Sequence, residues 1–215
     1  MSLTDEQVDY YSRQIILPEL GGTGQRRLLS ASALLSGHGA AFDAARTYLV
    51  GSGVGRVDVC GPPAPTLHFA EATDRNPDVA TLVVPVNTDR SVYDLHLDFG
   101  TTAPSDSAGF PRRGEIGWRR RPQASEILVV PRESGCLACC GTGGTSSGAA
   151  GGDDDGPALL ANSMAGAMAA LAAILWLAEI ALPRGPRLLC LLDQSPTWSE
   201  TTTERTPRCP RSCRA

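Results

Sequence analysis

A glycine turn between two apolar runs constrains the fold of this chain more than any other feature. Residues 33–36 predict a strand, a Gly-His-Gly turn follows, residues 40–51 predict a helix, and residues 56–60 predict a second strand. This order is the start of a βαβ unit. The first glycine permits a tight turn and the second lets backbone approach a phosphate. The sequence therefore predicts an α/β, Rossmann-like fold, with Gly37 and Gly39 as candidate cofactor-binding residues.

The same turn lacks two features of a dinucleotide site. Phe42 stands where a G-x-G-x-x-G turn has its third glycine, which allows close packing of helix on strand. We expect Phe42 to block that packing or to force the helix outward. Asp58 lies inside the second strand, not at its end, where an acidic residue would bind ribose hydroxyls. The turn therefore favours a retained scaffold over a working nucleotide site.

Composition excludes several kinds of chemistry. All 19 basic residues are arginine, so no lysine can bind a phosphate in a Walker A loop or form a Schiff base. The net charge of -4 argues against a nucleic-acid binder. The N-terminal residues are partly acidic and contain no apolar segment of the secretory type, which predicts a cytoplasmic protein.

The remaining pattern predicts one domain over residues 1–215. Thr4 and Gln7 predict a capping box that opens a helix through Ile15. A glycine-rich turn at 21–24 is expected before a helix that starts at Gln25. The other expected elements are a buried strand (79–86), a strand with alternating faces (93–99), an irregular segment (100–125), a strand (126–131), a helix (158–182) and two strands (187–193 and 197–204).

Two segments of unusual composition precede the C-terminal strands. Residues 141–157 contain seven glycines, three consecutive aspartates and no large apolar side chain, so this tract is expected to be mobile. Residues 158–178 carry no charge and are long enough to span a membrane. Their high alanine content and their place between two cysteine pairs favour a buried core helix.

The cysteines are the strongest chemical signal. Cys136 and Cys139 form a C-x-x-C pair, and Cys209 and Cys213 form a C-x-x-x-C pair. Two such pairs can complete a closed, tetrahedral S4 zinc site, which is structural. Unrelated thiols and a redox pair are the alternatives, and Cys140 is an alternative ligand. The other two cysteines, Cys60 and Cys190, lie in apolar runs and are expected in the core.

Two further features are weaker. The arginine-rich stretch 112–121 is expected to be a solvated loop, although its Trp118 leaves RNA or an acidic peptide as an alternative. The three histidines, His38, His68 and His96, have no spacing that suggests a metal-ligand set or a catalytic triad.

The stretch "YYSRQIILPELGGTGQRRLL" (10–29) resembles the N-terminus of the ThiF/MoeB/HesA family, the bacterial relatives of ubiquitin-activating enzymes. The order of the glycine turn, "NPDV", "DLHLDF", the C-x-x-C, the Ala-rich helix and the terminal cysteine pair also fits. The resemblance implies a ThiF/MoeB-type fold with a mixed sheet, N-terminal helices and a structural zinc site. It also implies dimers and ATP- and Mg²⁺-dependent adenylation of a ubiquitin-like or sulfur-carrier protein.

The resemblance also assigns residues. The zinc ligands map to Cys136, Cys139, Cys209 and Cys213, and Arg13 maps to the family's arginine that reaches into the partner's ATP site. The family's acidic segment and lysine have no counterpart here. Gly100-Thr101-Thr102 replaces the family's Mg²⁺-binding aspartate. The resemblance thus implies a degenerate member.

These departures lead to three hypotheses. The first is a pseudo-subunit that lacks an ATP site and supplies Arg13 in trans to an active homologous subunit, since an arginine finger can be worth orders of magnitude in rate. The second is an active adenylyltransferase that acts on a carrier-protein C-terminus. The third is a zinc-stabilised scaffold that binds a carrier without chemistry.

Overall fold

One mixed sheet of eight strands organises the protein. The computed structural model describes residues 2–60, 76–100, 109–140, 156–192 and 198–203. The strands are β1 (Ser32–Gly37), β2 (Arg56–Cys60), β3 (Val83–Val84), β4 (Leu95–Phe99), β5 (Gly114–Arg121), β6 (Ala124–Pro131), β7 (Arg187–Leu192) and β8 (Trp198–Thr202). Their order is β3-β2-β1-β4-β5-β6-β7-β8. Pairing is parallel from β3 to β5 and antiparallel from β5 to β8.

Helices occupy the N-terminus, and two long helices cover one face of this sheet. They are α1 (Asp5–Tyr10), α2 (Ser12–Ile15), α3 (Gly21–Ser30), α4 (Ala40–Gly51), α5 (Leu137–Cys140) and α6 (Gly156–Leu177). Side chains from α4, α6 and one face of strands β1, β2 and β4–β6 form the main core. The α/β fold with a mixed sheet and N-terminal helices is therefore confirmed.

The N-terminal capping box is confirmed. The Thr4 hydroxyl accepts the Gln7 N–H, and the Gln7 side chain accepts the Thr4 N–H. The predicted helix is interrupted at Tyr11, whose ring is fully buried. The expected turn at 21–24 is wrong, because these residues form the first turn of α3.

Two predictions for the middle of the chain are wrong. The run 79–86 contributes only Val83–Val84, because β3 is an edge strand and Val83 is 48% exposed. Within 100–125, residues Gly114–Arg121 form β5, whose arginines are held against β6: Arg119 and Arg121 both donate to Glu126. The alternating faces expected for 93–99 are confirmed, because Leu95, Leu97 and Phe99 pack in the main core while His96 and Asp98 lie on the other side of the strand, although both sides are largely covered.

The apolar helix ends earlier than predicted, at Leu177. The Arg113 and Arg27 side chains donate to the Trp176 and Ala178 carbonyls (3.2 and 3.1 Å), and both pair with Glu179. These bonds occupy carbonyls that a continuing helix would use. By length and composition α6 could cross a membrane, but one of its faces is buried against α4 and the sheet. This packing supports the core-helix prediction.

Helices α4 and α6 touch through Gly166. A methyl group at Gly166 would overlap the Ala41 carbonyl of α4. We expect Gly166→Val to lower the free energy of unfolding by about 3 kcal/mol or more, because backbone must move. The matched control is Gly51→Ala, since Gly51 has open space around its Cβ position. That control should be neutral or stabilise by about 0.5–1 kcal/mol in urea denaturation. Equal losses for both variants would contradict the contact.

Candidate functional site

The order of the strands identifies one crevice. β1 continues to β2 on one side and neighbours β4 on the other, so the direction of the chain's winding reverses between β1 and β4. In open α/β sheets, ligands bind outside the carboxyl ends of strands at this switch point. Gly37 ends β1 and Phe99 ends β4, and the two residues are register partners. The predicted turn residues Gly37 and Gly39 therefore lie at the expected position.

Glycine is required at this turn by its geometry. Gly37 has φ +119°, and a Cβ there would come within 2.7 Å of the Phe99 Cβ and 2.9 Å of its carbonyl. Gly39 has φ +95° and is the N-cap of α4. Both conformations are strained for other residues. These requirements come from the chain itself, so the two glycines are explained without a bound nucleotide.

Phe42 fills space beside the turn. Its ring is fully buried and meets the Phe99 ring edge-to-face, with centroids 5.9 Å apart. Helix α4 packs on the sheet with Phe42 inside the core, and the expectation that Phe42 blocks the closest helix–strand packing stays a prediction. The two rings occupy the core immediately behind Gly37. An aromatic pair thus replaces the close helix–strand contact that a third glycine would allow.

Carboxylates flank the crevice. Asp98 Oδ1 accepts the Ser36 hydroxyl (3.2 Å) and the Gly100 N–H (3.1 Å). Asp43 lies in the first turn of α4. Its pKa is raised because burial disfavours the charged form, although Arg46 and His38 oppose this shift. A triphosphate would meet these carboxylates at the turn, and like charges repel at short range.

A buried polar chain lies under the crevice, on the sheet face opposite α4. Ser36 Oγ is 2.8 Å from His96 Nε2, and His96 Nδ1 is 3.6 Å from Glu115 Oε1. The Glu115 carboxylate also accepts the Leu137 N–H at 2.9 Å and lies 3.9 Å from Arg90. This chain is not among the sites predicted from the sequence. Its signal was present: polar residues occupy one side of strands that are otherwise apolar.

The polar chain combines the residue types of a catalytic triad, but in a buried setting. Ser36 and His96 are 2% and 1% exposed, and Ser36 also binds Asp98. A nucleophile needs access to substrate, so this geometry supports a structural role. The other histidines do not join it, because His38 is exposed and His68 lies outside the described residues.

The cysteine turn has the spacing that zinc requires. The Cys136 and Cys139 sulfurs are both buried and 3.8 Å apart. Two thiolates at about 2.3 Å from a tetrahedral zinc ion are separated by about 3.8 Å. Cys140 Sγ is 3.9 Å from Cys139 Sγ, a similar separation. Within the described ranges no cluster of three or more ligand residues forms, while Cys209 and Cys213 lie outside them.

Other predicted residues have clear positions. Cys60 is buried, as predicted, and burial raises the pKa of its thiol, whereas Cys190 is only half-buried. The tract 141–157 lies outside the described residues except for its last two positions, which begin α6. Arg13 is exposed on α2, and among the described residues it has no hydrogen bond or ion pair.

Several known proteins are similar to this chain, although no family model matches it. A sulfur carrier protein adenylyltransferase of Thermus thermophilus is 48% identical over 59 residues, which are 27% of this chain and 22% of the relative. The adenylyltransferase and sulfurtransferase MOCS3 of Anopheles gambiae is 46% identical over 57 residues, 26% of this chain and 13% of the relative. The alignments thus cover less than a quarter of either relative. The vegetative HesA protein of Trichormus variabilis is 25% identical over 174 residues, 65% of each chain.

Solved structures have the same fold. The microcin C7 biosynthetic enzyme MccB in complex with N-formylated MccA superposes with a TM-score of 0.68 at 15% identity, covering 94% of this chain and 74% of MccB. A PaaA structure superposes with a TM-score of 0.63 at 15% identity, covering 94% of this chain and 75% of PaaA.

The fold and crevice define an α/β protein of the ThiF type. The curated relatives add the sequence link that the fold alone does not supply. Its similarity to these curated relatives supports assignment of the chain to the ThiF/MoeB/HesA family of adenylyltransferase-related proteins.

Proposed function

We propose that this chain is a non-adenylating subunit that acts beside an active homologue in the activation of a ubiquitin-like or sulfur-carrier protein. The observation that carries this proposal is a contrast. Aromatic rings and carboxylates surround the glycine turn, while Arg13 is exposed and its guanidinium has no partner among the described residues. The chain is thus poor at binding a nucleotide itself but can offer an arginine to another subunit.

The charges of the crevice support the loss of adenylation. Acyl adenylation develops negative charge on a triphosphate, which cations and Mg²⁺ normally stabilise in a water-poor site. Asp98 and Asp43 lie at the turn, and no lysine exists in the sequence. The family's Mg²⁺-binding position corresponds to Gly100–Thr102, where no carboxylate stands.

The test of this function is reconstitution. The purified chain is added to an active homologue and its carrier protein, and carrier-dependent ATP–pyrophosphate exchange is measured. We expect exchange to rise on addition of this chain. An exchange rate that does not change when this chain is added at saturating concentration would overturn the proposal.

ATP binding separates this proposal from the active-enzyme alternative. The sulfur carrier protein adenylyltransferase among the relatives is the observation that favours the alternative. Calorimetric titration of the isolated chain with ATP and Mg²⁺ should give no heat of binding below millimolar ATP. A micromolar dissociation constant with carrier-dependent turnover would establish the enzyme instead. The third hypothesis, a scaffold, predicts carrier binding that is independent of ATP and of any partner subunit.

The structural zinc ion belongs to the same proposal. Cys136 and Cys139 would supply two ligands, and Cys209 with Cys213 or Cys140 would complete the set. The 3.8 Å separation of the first two sulfurs supports this assignment. Such a closed site would stabilise the fold without taking part in chemistry.

A further inference from the structure

The cysteine turn is attached to the sheet through Leu137, which lies between Cys136 and Cys139 in the chain. The Leu137 N–H donates to Glu115 Oε2 at 2.9 Å, and Glu115 lies on β5 with only 2% of its surface exposed. Two positions further along β5, a Cβ at Gly117 would approach Leu137 Cδ2 to 2.8 Å, so the strand passes directly beside this side chain. Strand β5 thus contacts both the backbone and the side chain of the residue that follows the first proposed zinc ligand.

Hydrogen bonds within the turn set its shape but not its position on the sheet. The Cys136 N–H donates to Cys139 Sγ at 3.2 Å, and the Cys136 carbonyl accepts the N–H groups of Cys139 and Cys140 at 3.1 and 3.0 Å. Helix α5 has only four residues, and a helix of this length is not stable in isolation. The Leu137 N–H is among the first donors of α5, which have no acceptor within the helix. The acceptor on Glu115 therefore fixes the start of α5 relative to the sheet.

Glu115 is itself held in place by two buried side chains. Its Oε1 atom lies 3.9 Å from Arg90 and 3.6 Å from His96 Nδ1, and each of these three side chains is 3% exposed or less. A buried carboxylate beside a cation adds little net stability compared with apolar packing, because both groups lose their hydration. A charge-assisted hydrogen bond does, however, impose a direction on its donor. The sheet thus fixes one oxygen of Glu115, and the other oxygen orients the cysteine turn.

We propose that Glu115 is a positioning residue for the zinc ion and that, by accepting the Leu137 N–H, it holds Cys136 and Cys139 in their metal-binding arrangement. This inference rests on the zinc site proposed above. Glu115 acts here through the backbone of the turn and not as a ligand, since no cluster of three or more potential ligands forms in the part of the chain that the structure describes. Removing a group that orients metal ligands typically weakens metal binding about 10- to 100-fold.

The test measures the zinc affinity of the full chain by competition with a chromophoric chelator. Glu115→Ala removes the acceptor and should raise the zinc dissociation constant about 10- to 100-fold. Glu115→Gln keeps a side-chain oxygen that can accept the Leu137 N–H, so its dissociation constant should stay within about threefold of the unaltered value. Leu137→Pro removes the donated hydrogen at a helix position that tolerates proline, and it should weaken zinc binding as Glu115→Ala does.

Asp58→Ala is the matched control, because Asp58 has the same kinds of partners elsewhere in the sheet. Asp58 is fully buried on β2, pairs with Arg56 at 2.6 Å and accepts the Leu82 N–H at 3.0 Å. Two strands, β1 and β4, separate β2 from β5, which places Asp58 about 14 Å from Glu115. In urea denaturation, Asp58→Ala should lower the free energy of unfolding as Glu115→Ala does. Its zinc dissociation constant should stay within about threefold of the unaltered value.

The outcomes separate this inference from the zinc assignment. Equal zinc affinity of the unaltered chain and Glu115→Ala, or equal weakening by Glu115→Ala and Asp58→Ala, would overturn the positioning role and leave the zinc site intact. If Glu115→Ala does not fold, Leu137→Pro decides by the same criteria. An unaltered chain that binds no zinc would overturn both. None of these measurements uses ATP, a carrier or a partner subunit, so the proposed role in carrier activation does not depend on them.

Discussion

Replacing Arg13 with alanine is expected to lower the carrier-dependent ATP–pyrophosphate exchange of the reconstituted pair by about 10²- to 10³-fold. The expectation depends on the exposed position of Arg13 on α2. A guanidinium delivered to a neighbouring active site can stabilise negative charge that develops on phosphate oxygens. The measurement is the exchange rate at saturating subunit concentration, so that weakened pairing is not mistaken for weakened chemistry.

Two further variants make the Arg13 result specific. Arg26→Ala removes another exposed arginine, whose side chain donates only to Thr23 at 3.1 Å, and should leave exchange unchanged. Arg13→Lys keeps the positive charge but loses the planar guanidinium, which can donate two parallel hydrogen bonds. We therefore expect its exchange rate to lie between those of Arg13→Ala and the unaltered chain. If Arg13→Ala and Arg26→Ala have the same effect, the arginine is not supplied in trans.

Cys136→Ser should remove the bound zinc and destabilise the protein by about 3–5 kcal/mol. We expect metal analysis of the unaltered chain to give about one Zn²⁺ per chain. The variant should lose that metal and unfold at lower urea concentration, because the buried cysteine turn would hold an unpaired thiolate or an empty site. Fully folded protein without zinc would refute the assignment.

Variants of two other cysteines make the zinc result specific. Cys190 is half-buried on β7, where it hydrogen-bonds Ser199, and Cys190→Ser should change stability by less than about 1 kcal/mol with zinc retained. Cys140→Ser distinguishes the ligand sets. Retained zinc in Cys140→Ser indicates Cys213 as the fourth ligand, whereas lost zinc assigns that position to Cys140.

The sequence predicted an element correctly where a single local signal determines its structure. Helix Ala40–Gly51 and strand Arg56–Cys60 were predicted with their observed bounds. A glycine turn fixes where that helix begins, and the apolar run of the strand is buried on both faces. The cysteine turn was also foreseeable, because thiol spacing is local. The fold followed from these elements together with the resemblance at the N-terminus.

The sequence failed where position in the sheet decides the structure. Residues 79–86 are as apolar as a core strand, yet most lie outside β3 at the exposed edge. The arginines of β5 seemed too charged for a strand, but Glu126 on the neighbouring strand pairs with two of them. The chain Ser36–His96–Glu115 joins residues from three strands, so it was not visible from spacing along the sequence.

Tyr11 fixes the position of the backbone segment that carries Arg13. Its hydroxyl donates to Asn76 Oδ1 at 3.0 Å, and its buried ring lies against Gly53, where even a methyl group would not fit. Arg13 follows two residues later on a helix of four residues. The backbone near this arginine is therefore held against Asn76 and the loop that follows α4 before any encounter, so little backbone entropy remains to be lost on binding. A deletion that removes Tyr11 but spares Arg13 should therefore weaken the delivery of the Arg13 guanidinium to a partner subunit, because the backbone of Arg13 would lose its anchor.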